Sequence, residues 1–258
     1  SAPDETPVHL ILMGSYGTLA YTLPLRNGEA LFVLPSTETE RSGLVTLAAR
    51  VGEAQAQAQV NLEPGPPAEP LTPLVGSRTI TADGGHWSMV VAIPFDDLGN
   101  PVSEGTPVQV RALHPGQRLE LATVPVHHLL SWFELFSGTQ AGRTTISVQA
   151  QDAFGPEATL MEVPGWPVPF PVLAAPQSMT GDGRLLMTLR TGLIRDRFGN
   201  EIPDGTIVTF VLENPAGKRR WVPGYTVDGV AEVTIQAADE AVSYQVWATI
   251  FGVTESKV

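Results

Sequence analysis

One pattern occurs twice in this chain and limits what it can fold into more than any other feature. Asp96-Asp97-Leu98-Gly99-Asn100-Pro101-Val102-Ser103-Glu104-Gly105-Thr106 returns as Asp196-Arg197-Phe198-Gly199-Asn200-Glu201-Ile202-Pro203-Asp204-Gly205-Thr206. The shared skeleton is D-x-x-G-N-x-(V/I)-x-(E/D)-G-T, followed by Val108 and Val110 or by Val208 and Phe210. A repeat at a period of about 100 residues means tandem domains of the size of an immunoglobulin-type sandwich. Gly-Asn supplies positive φ for a turn, and Gly-Thr then opens a strand. Asp96, Gly99, Asn100 and Gly105, with Asp196, Gly199, Asn200 and Gly205, are therefore read as a structural turn motif.

The rest of the chain agrees with strands. Ile146, Val148 and Ala150 alternate with Thr145, Ser147 and Gln149, and Val242, Tyr244, Val246 and Ala248 alternate with Ser243, Gln245, Trp247 and Thr249. Period two places each set on one face of a strand. Asn27-Gly28 and Asp228-Gly229 are hairpin signals. The 25 Gly and 23 Pro punctuate the chain, as many turns require. Two Pro-rich stretches divide it, 63–73 (EPGPPAEPLTP) and 164–176 (PGWPVPFPVLAAP). Proline cannot serve a central strand, so each stretch is a stiff connector whose end can pair at a sheet edge. The fold expected is all-β, tandem immunoglobulin-like β-sandwich domains joined by Pro-rich linkers: 1–64 partial and lacking its opening strands, 65–165, and 166–258.

A second skeleton has three copies. Gly28-x-Ala30-x-Phe32-x-Leu34 precedes Ser42-Gly43 and the Val45, Leu47, Ala49, Val51 strand; Gly229-x-Ala231-x-Val233-x-Ile235 precedes the Val242 strand; the degenerate copy is Ser131-x-Phe133-x-Leu135, then Ala141-Gly142 and the Ile146 strand. In order and spacing these blocks, with Val60-Asn61-Leu62-Glu63-Pro64-Gly65-Pro66, resemble the bacterial immunoglobulin-like domains of the invasin and intimin adhesins. The resemblance implies an extracytoplasmic location: cell surface, secreted or periplasmic. The first module departs from the pattern. It has no D-x-x-G-N block and opens on Val8-His9-Leu10-Ile11-Leu12-Met13, the strand after that block. Either strands from upstream sequence or another chain complete it, or it is a small divergent sandwich that closes by itself. Ser1 to Pro7 carries no signal-peptide pattern, and an excerpt from a longer chain is the reading preferred.

Charge and composition narrow the function. A net charge of -12 argues against a nucleic-acid partner and against docking on anionic lipid by charge. No run reaches the roughly 18–20 apolar residues of a membrane helix, so no direct membrane insertion is expected of this chain. Cysteine is absent, so any metal site must use His and carboxylates. No nucleophile elbow, H-E-x-x-H, P-loop or dinucleotide fingerprint occurs. His127-His128 suits a metal poorly, because adjacent strand residues point to opposite faces. Asp96-Asp97 offers carboxylates for Ca²⁺, but Arg197 stands opposite Asp97 in the repeat, which favours the turn role. Asp152 and Asp182 read as solvated loop residues. No cofactor, metal site or catalytic residue is expected.

The strand registers yield binding candidates. With Ser131, Phe133 and Leu135 inward, Trp132, Glu134 and Phe136 face outward; by the same logic Leu31, Val33 and Trp247 do. Outward aromatics either pack on a neighbouring module or meet a partner. The function expected is a non-catalytic module array of a cell-surface, adhesin-type protein, acting as spacer and protein-binding surface through a protein partner or self-assembly. The alternatives are an envelope assembly component whose first module takes a strand from a partner, and a carbohydrate-binding accessory module.

Overall fold

In the computed structural model, residues 3–177, 183–236 and 242–255 are described, and among them there is no α-helix. The strands form three groups along the chain. The first comprises β1 (Pro7–Gly14), β2 (Gly17–Pro24), β3 (Gly43–Val51) and β4 (Ala54–Leu62), in the antiparallel order β2-β1-β3-β4. Val8 pairs with Val51, Leu10 with Ala49 and Leu12 with Leu47, so the alternating apolar positions share one face. That face is incompletely covered: Val8 and Leu12 are buried, whereas Leu10, Leu47 and Ala49 are only half-buried.

The second group is a sandwich. Its strands are β5 (Leu74–Val75), β6 (Thr79–Thr81), β7 (Trp87–Ala92), β8 (Pro107–Leu113), β9 (Leu119–Pro125), β10 (Ser131–Phe136), β11 (Gly142–Ala150), β12 (Ala153–Phe154) and β13 (Ala158–Val163). A three-stranded sheet β10-β7-β5 faces a larger sheet β6-β13-β11-β8-β9, with β12 paired to β11. Between them Val90, Val108, Val110, Leu135, Ile146, Val148 and Leu160 are buried, each contributed by the alternation of its strand.

The third group has β14 (Val172–Ala175), β15 (Leu186–Thr191), β16 (Ile207–Glu213), β17 (Arg219–Val227), β18 (Val230–Gln236), β19 (Gln245–Ile250) and β20 (Val253–Glu255). The order is β14-β15-β18-β17-β16-β19-β20. β17 pairs with β16 along most of its length and with β18 only at Thr226–Val227, so the strands wrap around a core of Leu189, Val208, Phe210, Leu212, Ile235 and Ala248. The Pro-rich stretch 63–73 contains no strand, while 164–176 ends in β14, an edge strand.

Two strand expectations are corrected. Residues 30–35 carry the alternation that makes β10 and β18, yet they form no strand. In the other groups β10 pairs with β7 and β18 with β15; the first group has no such partner strand among the described residues, and an extended segment without a neighbour cannot close a ladder. The strand read from Val242 starts at Gln245, leaving Val242 and Tyr244 exposed ahead of it.

Candidate functional site

The outer face of the β10-β7-β5 sheet is the most apolar exposed strand surface in the second group. Trp132 lies opposite Val91, Glu134 opposite Met89, Phe136 opposite Trp87, and Leu74 beside Val91. The intervening residues Ser88, Val90, Ser131 and Leu135 are buried, with the Ser88 hydroxyl donating to the Ser77 carbonyl (2.7 Å). Parity therefore sends two tryptophans, a phenylalanine and a leucine outward; Trp132 is 50% exposed, and Trp87, Phe136 and Leu74 are exposed too. Among the described residues no strand of another group joins this sheet. The corresponding face of the third group pairs Arg190 with Glu232 and Thr188 with Thr234, a solvated surface with an Arg190–Glu232 ion pair of 3.8 Å. Leu173 and Leu186 are exposed on that face as well, but among these residues none is aromatic, so sheet folding alone does not require the aromatics here. Trp87 was not among the residues singled out from sequence; the signal that could have found it is its pairing with Phe136, visible only once β7 is placed.

Leu31 and Val33 stand at the register positions of Trp132 and Glu134 and are 82% and 81% exposed. Trp247 is corrected: it is buried, at 8% exposure. It sits across from Val211 of β16, and the Arg219 guanidinium lies 5.6 Å from its ring centroid, so neighbouring strands cover the outward side of β19.

The turn motif is a joint between successive groups. Asp96 Oδ1 accepts from the Leu98 and Asn100 backbone N–H groups (2.9 and 2.8 Å). Its Oδ2 accepts from Gly65 N–H and Asn100 Nδ2 (both 2.9 Å). Asn100 then reaches into the first group: its Oδ1 accepts from Ser42 N–H (2.9 Å) and its Nδ2 donates to the Glu40 carbonyl (2.7 Å). The second joint repeats every bond. Asp196 accepts from Phe198 and Asn200 N–H (both 2.9 Å), Gly165 N–H (2.9 Å) and Asn200 Nδ2 (2.8 Å). Asn200 holds Ala141 N–H (2.8 Å) and the Thr139 carbonyl (2.9 Å). Gly99 and Gly199 take φ of 77° and 88° to turn the chain, and Gly105 and Gly205 donate to Val126 and Thr226 carbonyls (both 2.8 Å). Burial alone would raise the Asp96 and Asp196 carboxyls, but the bonds from the Asn side chain, the linker glycine and the turn backbone outweigh it and hold both below the ordinary range. With both carboxylate oxygens doubly bonded, a Ca²⁺ ion would have to displace backbone donors; Asp97 is exposed.

Two histidine groups complete the survey. His127 and His128 lie in the turn between β9 and β10 rather than on a strand, with ring centroids 4.0 Å apart; Glu104 Oε1 bonds His127 Nδ1 at 2.5 Å. Positive φ at His128 and Leu129 (48° and 76°) is what swings the rings to one side, correcting the opposite-face expectation. Among the described residues no cluster of three or more His, Cys, Asp or Glu could hold a metal ion. His114, Thr144 and Glu162, which sequence reasoning missed, form a buried network: His114 Nδ1 lies 2.7 Å from Glu162 Oε1, the Thr144 hydroxyl donates to the same oxygen, and Gly138 N–H donates to Glu162 Oε2. Arg118 Nη2 reaches His114 Nε2 at 3.1 Å. The Thr144 hydroxyl also lies 3.4 Å from His114 Nδ1, and all three side chains are buried away from solvent, so the arrangement is a satisfied core network. Asp152 lies in an exposed turn; Asp182 falls outside the described residues.

No family model and no curated protein matches the chain. Solved structures do. The chain is similar to the crystal structure of invasin, a bacterial integrin-binding protein, at 14% identity and a TM-score of 0.63, over 98% of this chain and 51% of that one. It is similar to FdeC, an Escherichia coli adhesin (16%, TM-score 0.58, 83% of this chain and 71% of that chain), and to InvD of Yersinia pseudotuberculosis (18%, TM-score 0.55, 100% and 86%). The fold is all-β, immunoglobulin-like β-sandwich domains in tandem, as in these structures. The chain spans about half the length of the invasin structure it matches.

Proposed function

We propose that this chain is a non-catalytic array of one partial immunoglobulin-like unit lacking its opening strands (1–64) and two whole ones (65–165 and 166–258) in a bacterial cell-surface, adhesin-type protein, where it spaces and binds protein. The observation that carries the reading is the aromatic outer face of β10-β7-β5, with Trp132 and Phe136 at its edge. Exposed Trp in a contiguous apolar patch is what protein interfaces use as anchors. The fold shared with invasin and FdeC supports an extracytoplasmic setting, and the paired aspartate–asparagine joints support a spacer.

The test displays the array on a non-adherent bacterium and measures binding to cultured cell monolayers, alongside sedimentation of the purified chain. An exposed half of a Trp side chain, about 100 Å² at ~25 cal/mol per Å², is worth ~2.5 kcal/mol when covered. Trp132→Ala is therefore expected to weaken adhesion or self-association by more than about tenfold. If neither adhesion nor sedimentation changes, the face is not an interface.

A second reading is favoured by Leu31 and Val33. Residues 30–35 keep strand alternation without a ladder partner, a template for β-augmentation by a strand from another chain. A bound partner strand would protect their backbone amides from hydrogen exchange; unprotected amides in the intact assembled protein would dismiss it.

A further inference from the structure

The joint between the second and third groups holds a cleft of about 530 Å³ whose lining includes Trp166, Phe198, Phe251 and Arg197. Trp166 and Phe251 meet edge-to-face, ring centroids 5.6 Å apart, and Trp166 is 70% exposed. Phe198 forms another wall with the Arg197 guanidinium 4.6 Å from its ring centroid. Asp83 and His86 close the far side. The cleft is independent of the sheet face described above and of its proposed role.

The polar groups in the lining divide into spent and free. Asp196 is filled by the joint. Asp83 accepts from the backbone N–H groups of His86 and Gly85 (both 2.9 Å) and from His86 Nδ1 (2.8 Å); led by the His86 backbone bond, these hold its carboxyl down at about 2. Gly165 and Phe198 N–H are both committed to Asp196. Arg197, by contrast, has no acidic partner among the described residues, whereas its neighbour Arg195 is paired with Glu201 at 3.0 Å. His86 gives Nδ1 to Asp83, and its Nε2 is the ring nitrogen left for a ligand. Both carboxylates stay ionised with their oxygens engaged by donors of the protein, one guanidinium lies on an aromatic ring with no carboxylate partner among the described residues, and the walls are aromatic.

We infer that this cleft binds an acidic saccharide, its pyranose ring laid on Trp166 and Phe251, its carboxylate on Arg197 and a hydroxyl on His86 Nε2. A pyranose presents a C–H face to an aromatic wall and hydroxyls at its rim, and the volume suits a small ligand. The planar guanidinium matches a carboxylate bidentately. An acidic peptide fits less well, because the backbone donors it would pair with are already used. The first joint supplies the contrast: the places of Trp166, Arg197 and Phe198 are taken by Pro66, Asp97 and Leu98, which offer neither the aromatic wall nor the cation, on the same turn geometry.

The experiment titrates the whole chain with 3′-sialyllactose, lactose and an acidic pentapeptide, by calorimetry and saturation-transfer NMR. Expected is sialyllactose binding at least about tenfold tighter than lactose, lost by at least about tenfold in Arg197→Asp and Trp166→Ala, retained in part by Arg197→Lys, and unchanged in Trp132→Ala. Arg197→Asp installs the residue that the first joint already tolerates, and an unaltered melting transition checks its fold. Equal binding of lactose, insensitivity to Arg197→Asp, preference for the peptide, or no sialyllactose binding up to about 10 mM would each overturn the assignment.

Discussion

Asn200→Ala tests the joint most directly. The side chain makes three bonds: Oδ1 accepts from Ala141 N–H (2.8 Å), Nδ2 donates to the Thr139 carbonyl (2.9 Å), and Nδ2 donates to Asp196 Oδ2 (2.8 Å). The first two cross from the third group to the second. A neutral bond contributes about 1 kcal/mol net and one to a carboxylate about 1.5–3. The two crossing bonds thus supply ~2 kcal/mol of docking, and weakening Asp196's hold on Gly165 adds to the loss. Two kcal/mol is a ~30-fold shift in the docked-to-undocked ratio. Because the chain has no cysteine, spin labels can be placed at Arg111→Cys and Arg220→Cys alone, one on each group. Double electron–electron resonance should report a narrow distance distribution for the parent and a broad one for Asn200→Ala. The two cores are separate clusters, so the melting of each should change little. A distribution that stays narrow would refute the assignment of the joint to this asparagine.

Acid should open the same joint: the folded Asp196 is depressed, so its contribution is complete above the ordinary carboxylate value of about 3.9 and is lost as pH falls through the lower folded value, read as broadening of the same distances only below about pH 4. Glu162→Ala strands His114, Thr144 and Gly138 N–H in the interior and should destabilise the second group by about 3–5 kcal/mol in urea unfolding; a loss under about 1 kcal/mol would mean the network is not the buried unit described. Trp247→Ala should lower stability by about 3–5 kcal/mol and Val33→Ser by no more than about 0.5, reversing the ranking expected if both faced solvent.

Much of the architecture was legible because its signals are local. Alternation in Ile146, Val148 and Ala150 places them in the core, and Ser131, Trp132, Leu135 and Phe136 fall on the faces that period two assigns them. Periodicity specifies which side of a strand a residue takes, but not what covers that side. Trp247 obeys the alternation and is still buried, because β16 and the Arg219 side chain lie against it. Residues 30–35 have the pattern of a strand and no ladder, since pairing needs a partner that the pattern does not mention. The network of His114, Thr144 and Glu162 joins β11, β13 and the segment after β8, residues with no shared spacing, so no local signal marks them.

The turn motif shows the division most clearly. From sequence alone, D-x-x-G-N-x-(V/I)-x-(E/D)-G-T is determined to be a repeated turn: the glycines meet its positive φ and the aspartate caps its own backbone. These are contacts within a few residues, fixed wherever the segment is placed. That Asn100 and Asn200 also grip the backbone of the preceding group, and that Trp166, Arg197 and Phe251 converge on one cleft, was decided only by tertiary structure. Such contacts join residues dozens of positions apart, and hydrogen bonds and aromatic walls between them exist only after whole sheets have been set side by side.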